Sequence, residues 1–518
     1  MKCPSAKQTQ GIPIAIGIVL FGFAILFSQT GIAQPNQVAT TYAELITTAD
    51  LKDNLSIIAS DALEGRYTGS RGQKMAAAFI NNYFETLELA GPVNGSHYMP
   101  VELTTSRPGD IYLKVGTNRY NNFKEIVYYG NSPSGGEISL EAVFAGKGTE
   151  NDFAYLDVKD KAVVVLADGL SFNMPRALRK TSTMAVDKGA RMVLVVANGK
   201  PEEFKPFADR RKAYLSEGSL SLTKPDSEPA DKGMFLVEQA TISKIFNASF
   251  EKLVNAASED AAKKPLSKIK PSRIVYNIVM ETRAVKSENM MGYLEGTDKK
   301  DEVIVISAHY DHIGLHEGED KVNNGADDDG SGTVTVLQLA KAFVQAKKEG
   351  HGPRRSILFM TVTGEEEGLL GSEYYVEHPL FPLANTVANL NIDMVGRRDP
   401  EHNGKPDYVY VIGADKLSSE LHEINERNNR EYTKLDFDYL YNDVNHPTNL
   451  YKRSDHWNFA KNNVPIIFYF DGIHEDYHKP SDEVSKIDFD LLAKRGKSIF
   501  YTAWELVNRD NRIVVDKK

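Results

Sequence analysis

A chain of 518 residues is longer than one hydrophobic core normally organises, so two domains are the starting expectation. Its net charge of −10 argues against nucleic acid as a partner, and its composition is that of an ordinary globular protein. The single cysteine, Cys3, excludes a disulfide framework and a cysteine-based zinc site.

The N-terminus reads as a targeting segment. Lys2 and Lys7 precede an apolar run from Ile12 to Phe27, and Gly31-Ile32-Ala33 supplies small residues for a cleavage site. Cleavage after Ala33 would export the folded part, secreted, periplasmic or at the cell surface, with no stable membrane insertion. The rival reading is an uncleaved anchor, because the run nearly spans a bilayer.

From Thr40 to about Pro92 the pattern is helical: Leu51, Leu55 and Ile58, then Ala76, Phe79, Ile80 and Phe84, recur on one helix face. The polar loop between them, with Ala59-Ser60-Asp61 and Glu64-Gly65-Arg66, reads as a connector. From about Lys124 to Lys270 short β runs appear at 142–144, 162–166 and 192–196, with a helix-like stretch from Thr183 to Lys188. An apolar-periodic helix from Ile242 to about Ala257 closes this inserted, mainly-β stretch. From Val275 onward strands and helices alternate, as in a doubly wound α/β sheet. Strands are expected at 274–281, 290–295, 302–308, 356–362, 387–394, 407–412 and 464–470, and helices at 332–346, 370–377, 416–427, 454–461 and 487–508.

The chemistry gathers at strand ends. Val303-Ile304-Val305-Ile306 is β-branched throughout, as a strand buried on both faces would be, and runs to His309-Tyr310-Asp311. An acidic glycine-rich loop, Gly325-Ala326-Asp327-Asp328-Asp329-Gly330, follows. Ile357 to Val362 runs into Gly364-Glu365-Glu366-Glu367-Gly368, and the strand around Leu390 carries Asp393. Pro465 to Phe470 is followed by His474 and Tyr477-His478, with Ser454-Asp455-His456 just before it. In open α/β sheets ligands bind at the C-terminal strand ends. So many acids at one edge would repel one another unless divalent cations, zinc first, sat between them. His474-Glu475-Asp476-Tyr477-His478 also fits H-E-x-x-H, but that pattern needs a helix, and Gly472 and Pro480 flank it here.

In order, His309-x-Asp311, Gly325 to Gly332, Glu365-Glu366-x-Gly368, Asp393-Met394, Ser454-Asp455-His456 and Tyr477-His478-x-Pro480-Ser481-Asp482 resemble the co-catalytic zinc peptidases. That family includes secreted bacterial leucyl aminopeptidases and glutamate carboxypeptidase II. The loop Ala59-Ser60-Asp61 to Glu64-Gly65-Arg66 and the stretch Asn289 to Gly296 also resemble that family, and the inserted stretch resembles its protease-associated domain. Asp329-Gly330 stands where many members have Asn-Ala, a difference expected to alter the loop more than the ligand count.

The resemblance implies a mostly parallel α/β zinc-peptidase fold. With the targeting segment read above, the chain divides into a signal peptide (1–33), an N-terminal part of the peptidase domain (34–124), an inserted mainly-β protease-associated domain (125–270) and the catalytic remainder (271–518). The resemblance implies two zinc ions: Asp328 bridges them, His309 and Asp393 complete one, and Glu366 and His478 complete the other. Asp311 would accept the free ring N–H of His309, Glu365 would be the general base on a metal-bridged hydroxide, and Tyr451 would support the oxyanion. His456 and His474 are carried as candidate substrate-binding residues, each with a purely structural alternative. Asp327, Asp329 and Glu367 are expected to cap or to face solvent. The implied activity is removal of N-terminal residues from peptides or proteins with a free N-terminus. The alternatives are a carboxypeptidase- or dipeptidase-like hydrolase on the same centre, and a non-catalytic receptor-like relative.

Overall fold

A computed structural model describes residues 36–517 apart from 155, 170–173, 217, 224–232, 259–265, 267–268 and 317–320. The expected signal segment, Cys3 included, lies outside the described residues. Among these, no helix is long and apolar enough to cross a membrane.

The runs rich in β-branched residues become the centre of a 15-stranded sheet. Towards one edge the neighbours are Asp436–Asp438, Tyr408–Ile412, Ile466–Phe470, Thr386–Ile392, Lys299–His309, Arg355–Val362 and Ser272–Leu294. The middle four are parallel to one another, in register Ile304↔Ile357, Ile306↔Leu390 and Leu390↔Ile467. Alternate side chains face opposite cores. Ile304, Ile306 and Ala308 join the cluster formed with helices Gln37–Ala43, Thr48–Ile58, Arg71–Thr86, Gly332–Lys348 and Phe489–Asn508. Val303 and Val305 join the opposite cluster, with Tyr375 and Phe459 of helices Leu370–Glu377 and His456–Ala460. Burial on both faces is why these strands read as unbroken apolar runs.

Three elements differ from the sequence reading. The strands expected at 274–281 and 290–295 are one strand, Ser272–Leu294. Tyr98–Val115 runs antiparallel along it, from Tyr98↔Met290 to Lys114↔Val275, with an irregularity between Pro108 and Ile111 that admits the proline. The helix expected over Ile242 to Ala257 is two, Gln239–Phe246 and Phe250–Ser258, broken where Asn247 takes a left-handed conformation. The inserted stretch is also more helical than its short β runs indicate. Its strands Ile138–Phe144, Ala162–Ala167, Met192–Ala197 and Met234–Val237 are parallel, so each crossover must carry a longer connection. Helices Met174–Asp187 and Phe204–Leu215 supply two of these. Its apolar cluster includes Ile111 and Leu113 before residue 125, and Ile274, Tyr276 and Ile278 after residue 270.

Candidate metal centre

The three consecutive acids of the glycine-rich loop point in different directions. Gly325 (φ 52°) turns the chain into Ala326–Ser331, which leads into helix Gly332–Lys348. Asp329 turns back into the protein and accepts from the backbone N–H groups of His309 (3.1 Å), Gly332 (2.9 Å) and Met394 (3.1 Å). Asp327 accepts from Gly396 N–H at 2.7 Å and faces His474 Nε2 at 3.1 Å. Asp328 alone faces the other acids. Its loop is gripped from outside by Asp482, which accepts the N–H groups of Asp327 (3.0 Å) and Asp328 (3.1 Å).

Around Asp328 the strand ends converge. Its Oδ1 lies 3.3 Å from His309 Nε2, and its Oδ2 lies 3.1 Å from His478 Nε2. His309 Nε2 is also 3.6 Å from Asp393 Oδ1, and His478 Nε2 is 3.1 Å from Glu366 Oε2. Separations of 3–4 Å between unlike donors are those of ligands sharing one ion about 2 Å from each. Asp393 is held from behind by Ser454 Oγ at 2.6 Å, which in turn accepts from Asn391 Nδ2 at 2.9 Å. Glu365 Oε2 stands 3.9 Å from His309 Nε2, and its backbone N–H donates to Asp311 Oδ1 at 3.2 Å.

The electrostatics demand positive charge here. Burial drives the Glu365 carboxyl well above the usual range, against the pull of His309 and with Asp393 and Glu366 adding to it. Burial acts the same way on Asp328, but His309 and His478 hold its carboxyl well below that range. The imidazoles respond in kind. Burial would lower His309, yet Glu365 and Asp393 push it well above 6.5, and Asp328 and Glu366 take His478 up to about 10. Divalent cations would replace those protons. Asp328 Oδ2 and Glu366 Oε1 are buried without a hydrogen-bond partner, so the donor set fits such ions.

Residues 289–503 match the model of peptidase family M28. Over that stretch the chain is similar to this family. Similar curated proteins include a "Probable leucine aminopeptidase" of Arthroderma benhamiae, 28% identical over 215 residues, 40% of this chain and 55% of that protein. "Aminopeptidase YwaD" of Bacillus subtilis is 27% identical over 240 residues, 45% of this chain and 47% of that protein. "Probable glutamate carboxypeptidase LAMP1" of Arabidopsis thaliana is 23% identical over 427 residues, 75% of this chain and 60% of that protein. Against the Arthroderma relative the alignment spans 55% of that protein's length. Among solved structures, "Aminopeptidase from Aneurinibacillus sp. strain AM-1" shares the fold, with TM-score 0.53 at 18% identity over 93% of this chain and 98% of that one.

Within the matched stretch the expected metal residues His309, Asp328, Glu366, Asp393 and His478 meet at one place, with Glu365 beside them. Asp311 stands differently. His309 Nδ1 reaches the Asp311 main-chain oxygen at 3.1 Å, whereas the carboxylate is 3.8 Å away. That carboxylate instead accepts from Thr68 Oγ1 at 2.9 Å and from Glu365 N–H. The pocket over the acids is walled by Met394, Leu450, Phe468, Phe470, Ile473 and Tyr477, with Arg453 at its rim. Tyr451, His456 and His474 are not among the lining residues. Tyr451 packs beside His456 and Trp457. His456 is buried, stacked on Phe468 and bonded through Nε2 to Tyr451 O at 2.9 Å, and burial takes its pKa down to about 3. His474 pairs with Asp327 behind the site. Residues 474–478 form no helix, so the H-E-x-x-H match is accidental. Asp327 and Asp329 do cap backbone groups, but buried rather than solvated, and Glu367 is half-buried, bonded to Tyr67 and to Leu220 N–H.

Three contributors have no role in the sequence reading: His312, Asp482 and Arg66. Arg66 is buried, and its guanidinium donates to the carbonyls of Ile58 (2.8 Å), Tyr310 (2.9 Å), Asn324 (2.6 Å) and Gly325 (3.0 Å). It ties the N-terminal helices to the acidic loop. Its place beside Glu64-Gly65 in a motif-like loop was the available signal.

Proposed function

We propose that this chain is an extracytoplasmic dinuclear zinc aminopeptidase. One observation carries the reading: the two oxygens of Asp328 face two different histidines, each with its own second carboxylate. His309 and Asp393 would hold one ion, Glu366 and His478 the other, and Asp328 both. When bound, the ions would acidify a water and polarise the substrate carbonyl.

The protein's own groups do the rest. Glu365, lining the pocket 3.9 Å from His309 Nε2, takes a proton from the attacking water and passes it to the departing amine. Asp311 accepts the Glu365 backbone N–H and fixes the turn that presents it. Tyr477, stacked on His478 at 3.9 Å and lining the pocket, has the hydroxyl to support a developing oxyanion, a role better suited to it than to Tyr451. The apolar wall of Leu450, Phe468, Phe470 and Ile473 suits an apolar N-terminal side chain. The similarity to aminopeptidases supports this direction of cleavage.

A carboxypeptidase-like activity is the second reading. It is favoured by Arg453 at the pocket rim, whose guanidinium could pair with a terminal carboxylate, and by the long alignment with the Arabidopsis protein.

Metal content and product analysis decide between them. The favoured reading expects about two zinc ions per chain, release of free amino acid from aminoacyl anilides and no cleavage of N-acetylated peptides. A zinc-free inert protein, or cleavage from the C-terminus alone, overturns it. Glu365→Gln should keep its zinc and lose turnover by about 10²–10⁴-fold.

The stretch 125–270 is proposed as a protease-associated domain that shapes the entrance. Leu220 and Leu222 pack with Leu370, just after the Glu365–Glu367 turn. Leu222→Ser should shift the preference between dipeptides and longer peptides. An unchanged preference removes the entrance role.

A further inference from the structure

His312 is buried at the end of the segment that follows strand Lys299–His309, and its backbone N–H donates to Arg66 O at 3.2 Å. Its ring lies against Gly325, where any Cβ would meet His312 Cγ at 2.6 Å. The imidazole is therefore fixed in place. Nδ1 is 2.8 Å from Glu366 Oε1 and 3.8 Å from Asp328 Oδ2. The first distance is that of a hydrogen bond, but the alignment is not: neither ring nitrogen of His312 makes one, and Glu366 Oε1 and Asp328 Oδ2 make none either. The orphaned Nδ1, Oε1 and Oδ2 thus face one another in a buried site. Buried polar atoms left unpaired are costly, so three facing one another need a common partner. One ligand atom from each of His312, Asp328 and Glu366 lies within 4.8 Å of the others, the spacing of donors around a single cation.

We propose that His312 is a further protein ligand of the ion held by Glu366 and His478, through Nδ1. The proposal rests on the dinuclear reading above. The two histidines take different oxygens of Glu366: His478 faces Oε2 and His312 faces Oε1, with the rings edge-on to each other at 5.8 Å. His478 is partly exposed, with 36% of its side-chain surface accessible, whereas His312 is buried. The second ion would then have one partly exposed imidazole donor and one buried one.

The first test needs no substitution. X-ray absorption on the zinc-loaded wild type counts imidazoles, and the proposal requires three shared between the two ions instead of two. The second compares chelator competition in wild type, His312→Ala and His312→Asn, whose amide can place an oxygen where Nδ1 stands. His312→Ala should weaken retention of one ion by about 100-fold or more, beyond the 10–100-fold typical of a residue that only orients a ligand. His312→Asn should recover part of that loss. Melting of the chelator-stripped proteins separates this from misfolding, because a lost ligand leaves the stripped melting temperature near wild type. A wild-type signal with two imidazoles, or a His312→Ala variant that holds both ions as tightly as wild type, overturns the assignment of His312. A wild type that binds no pair of ions overturns the dinuclear reading instead.

Discussion

Replacing Arg66 with methionine should destabilise the protein by about 3–5 kcal/mol, although Arg66 touches neither substrate nor the expected ions. The guanidinium makes its bonds to the carbonyls of Ile58, Tyr310, Asn324 and Gly325 in a site closed to water. Burial takes its pKa down to about 10, and the carboxylates of Asp328, Asp311, Asp482 and Asp329 keep it from falling further, so it is charged at neutral pH. Bonds from a charged donor contribute roughly 1.5–3 kcal/mol each net of solvation, but the four here share one buried guanidinium and do not add independently. Removing one partner of a buried charged set costs about 3–5 kcal/mol, the figure above. Arg66→Lys keeps the charge but has no planar fork, so it should lose roughly half as much. The assay is urea unfolding of the chelator-stripped protein, so that any loss cannot be attributed to weaker metal binding. An Arg66→Met midpoint that corresponds to less than about 1 kcal/mol of lost stability would refute the reasoning.

Other outcomes follow from the same geometry. Tyr477→Phe should lower kcat by about 10²–10³-fold if its hydroxyl supports the oxyanion, whereas Tyr451→Phe should leave kcat near wild type; the reverse ranking restores Tyr451 to that role. A methyl group on Gly330 would meet Leu55 Cδ1 at 2.7 Å and Gly325 O at 2.9 Å, so Gly330→Ala should cost about 1–3 kcal/mol in denaturant melts. Leu55→Val should recover part of that, and strictly additive losses would show that the helix Thr48–Ile58 is not what excludes the methyl. For His456 the unfolded chain gains a proton below about 6.5, while the folded one stays neutral down to about 3. Its contribution is therefore complete above pH 6.5 and falls as the pH drops toward 3. Between pH 7 and pH 5 the wild type should lose about 2 kcal/mol more than His456→Phe, and equal losses would place a compensating acceptor near the ring.

Much of the site is legible in the sequence because apolar strands advertise where they stop. Val303–Ile306, Ile357–Val362 and Ile466–Phe470 are buried on both faces, so the first polar residues after each had to lie at one edge of the sheet. What separates Asp328 from Asp327 and Asp329 is not written locally. The neighbours are drawn inward by backbone N–H groups of residues 309, 332, 394 and 396, which only the fold brings near. His312 is not legible locally because Asp311 beside it already completes the His-x-Asp pattern. Tyr98–Val115 is obscured for another reason. Pro108-Gly109-Asp110 interrupts the run with residues uncommon inside strands, yet the paired strand Ser272–Leu294 carries the chain through with a local irregularity.

That pair of long strands bears on how fragments of this protein should be cut. A recombinant piece started at residue 289, where the family match begins, would sever Ser272–Leu294 part-way and leave Tyr98–Val115 without most of its partner. Excising 125–270 would strip the cover from Ile111, Leu113, Ile274, Tyr276 and Ile278 and leave them on a raw strand edge. Soluble truncations should therefore keep both long strands whole and place their joins in the turns beyond them.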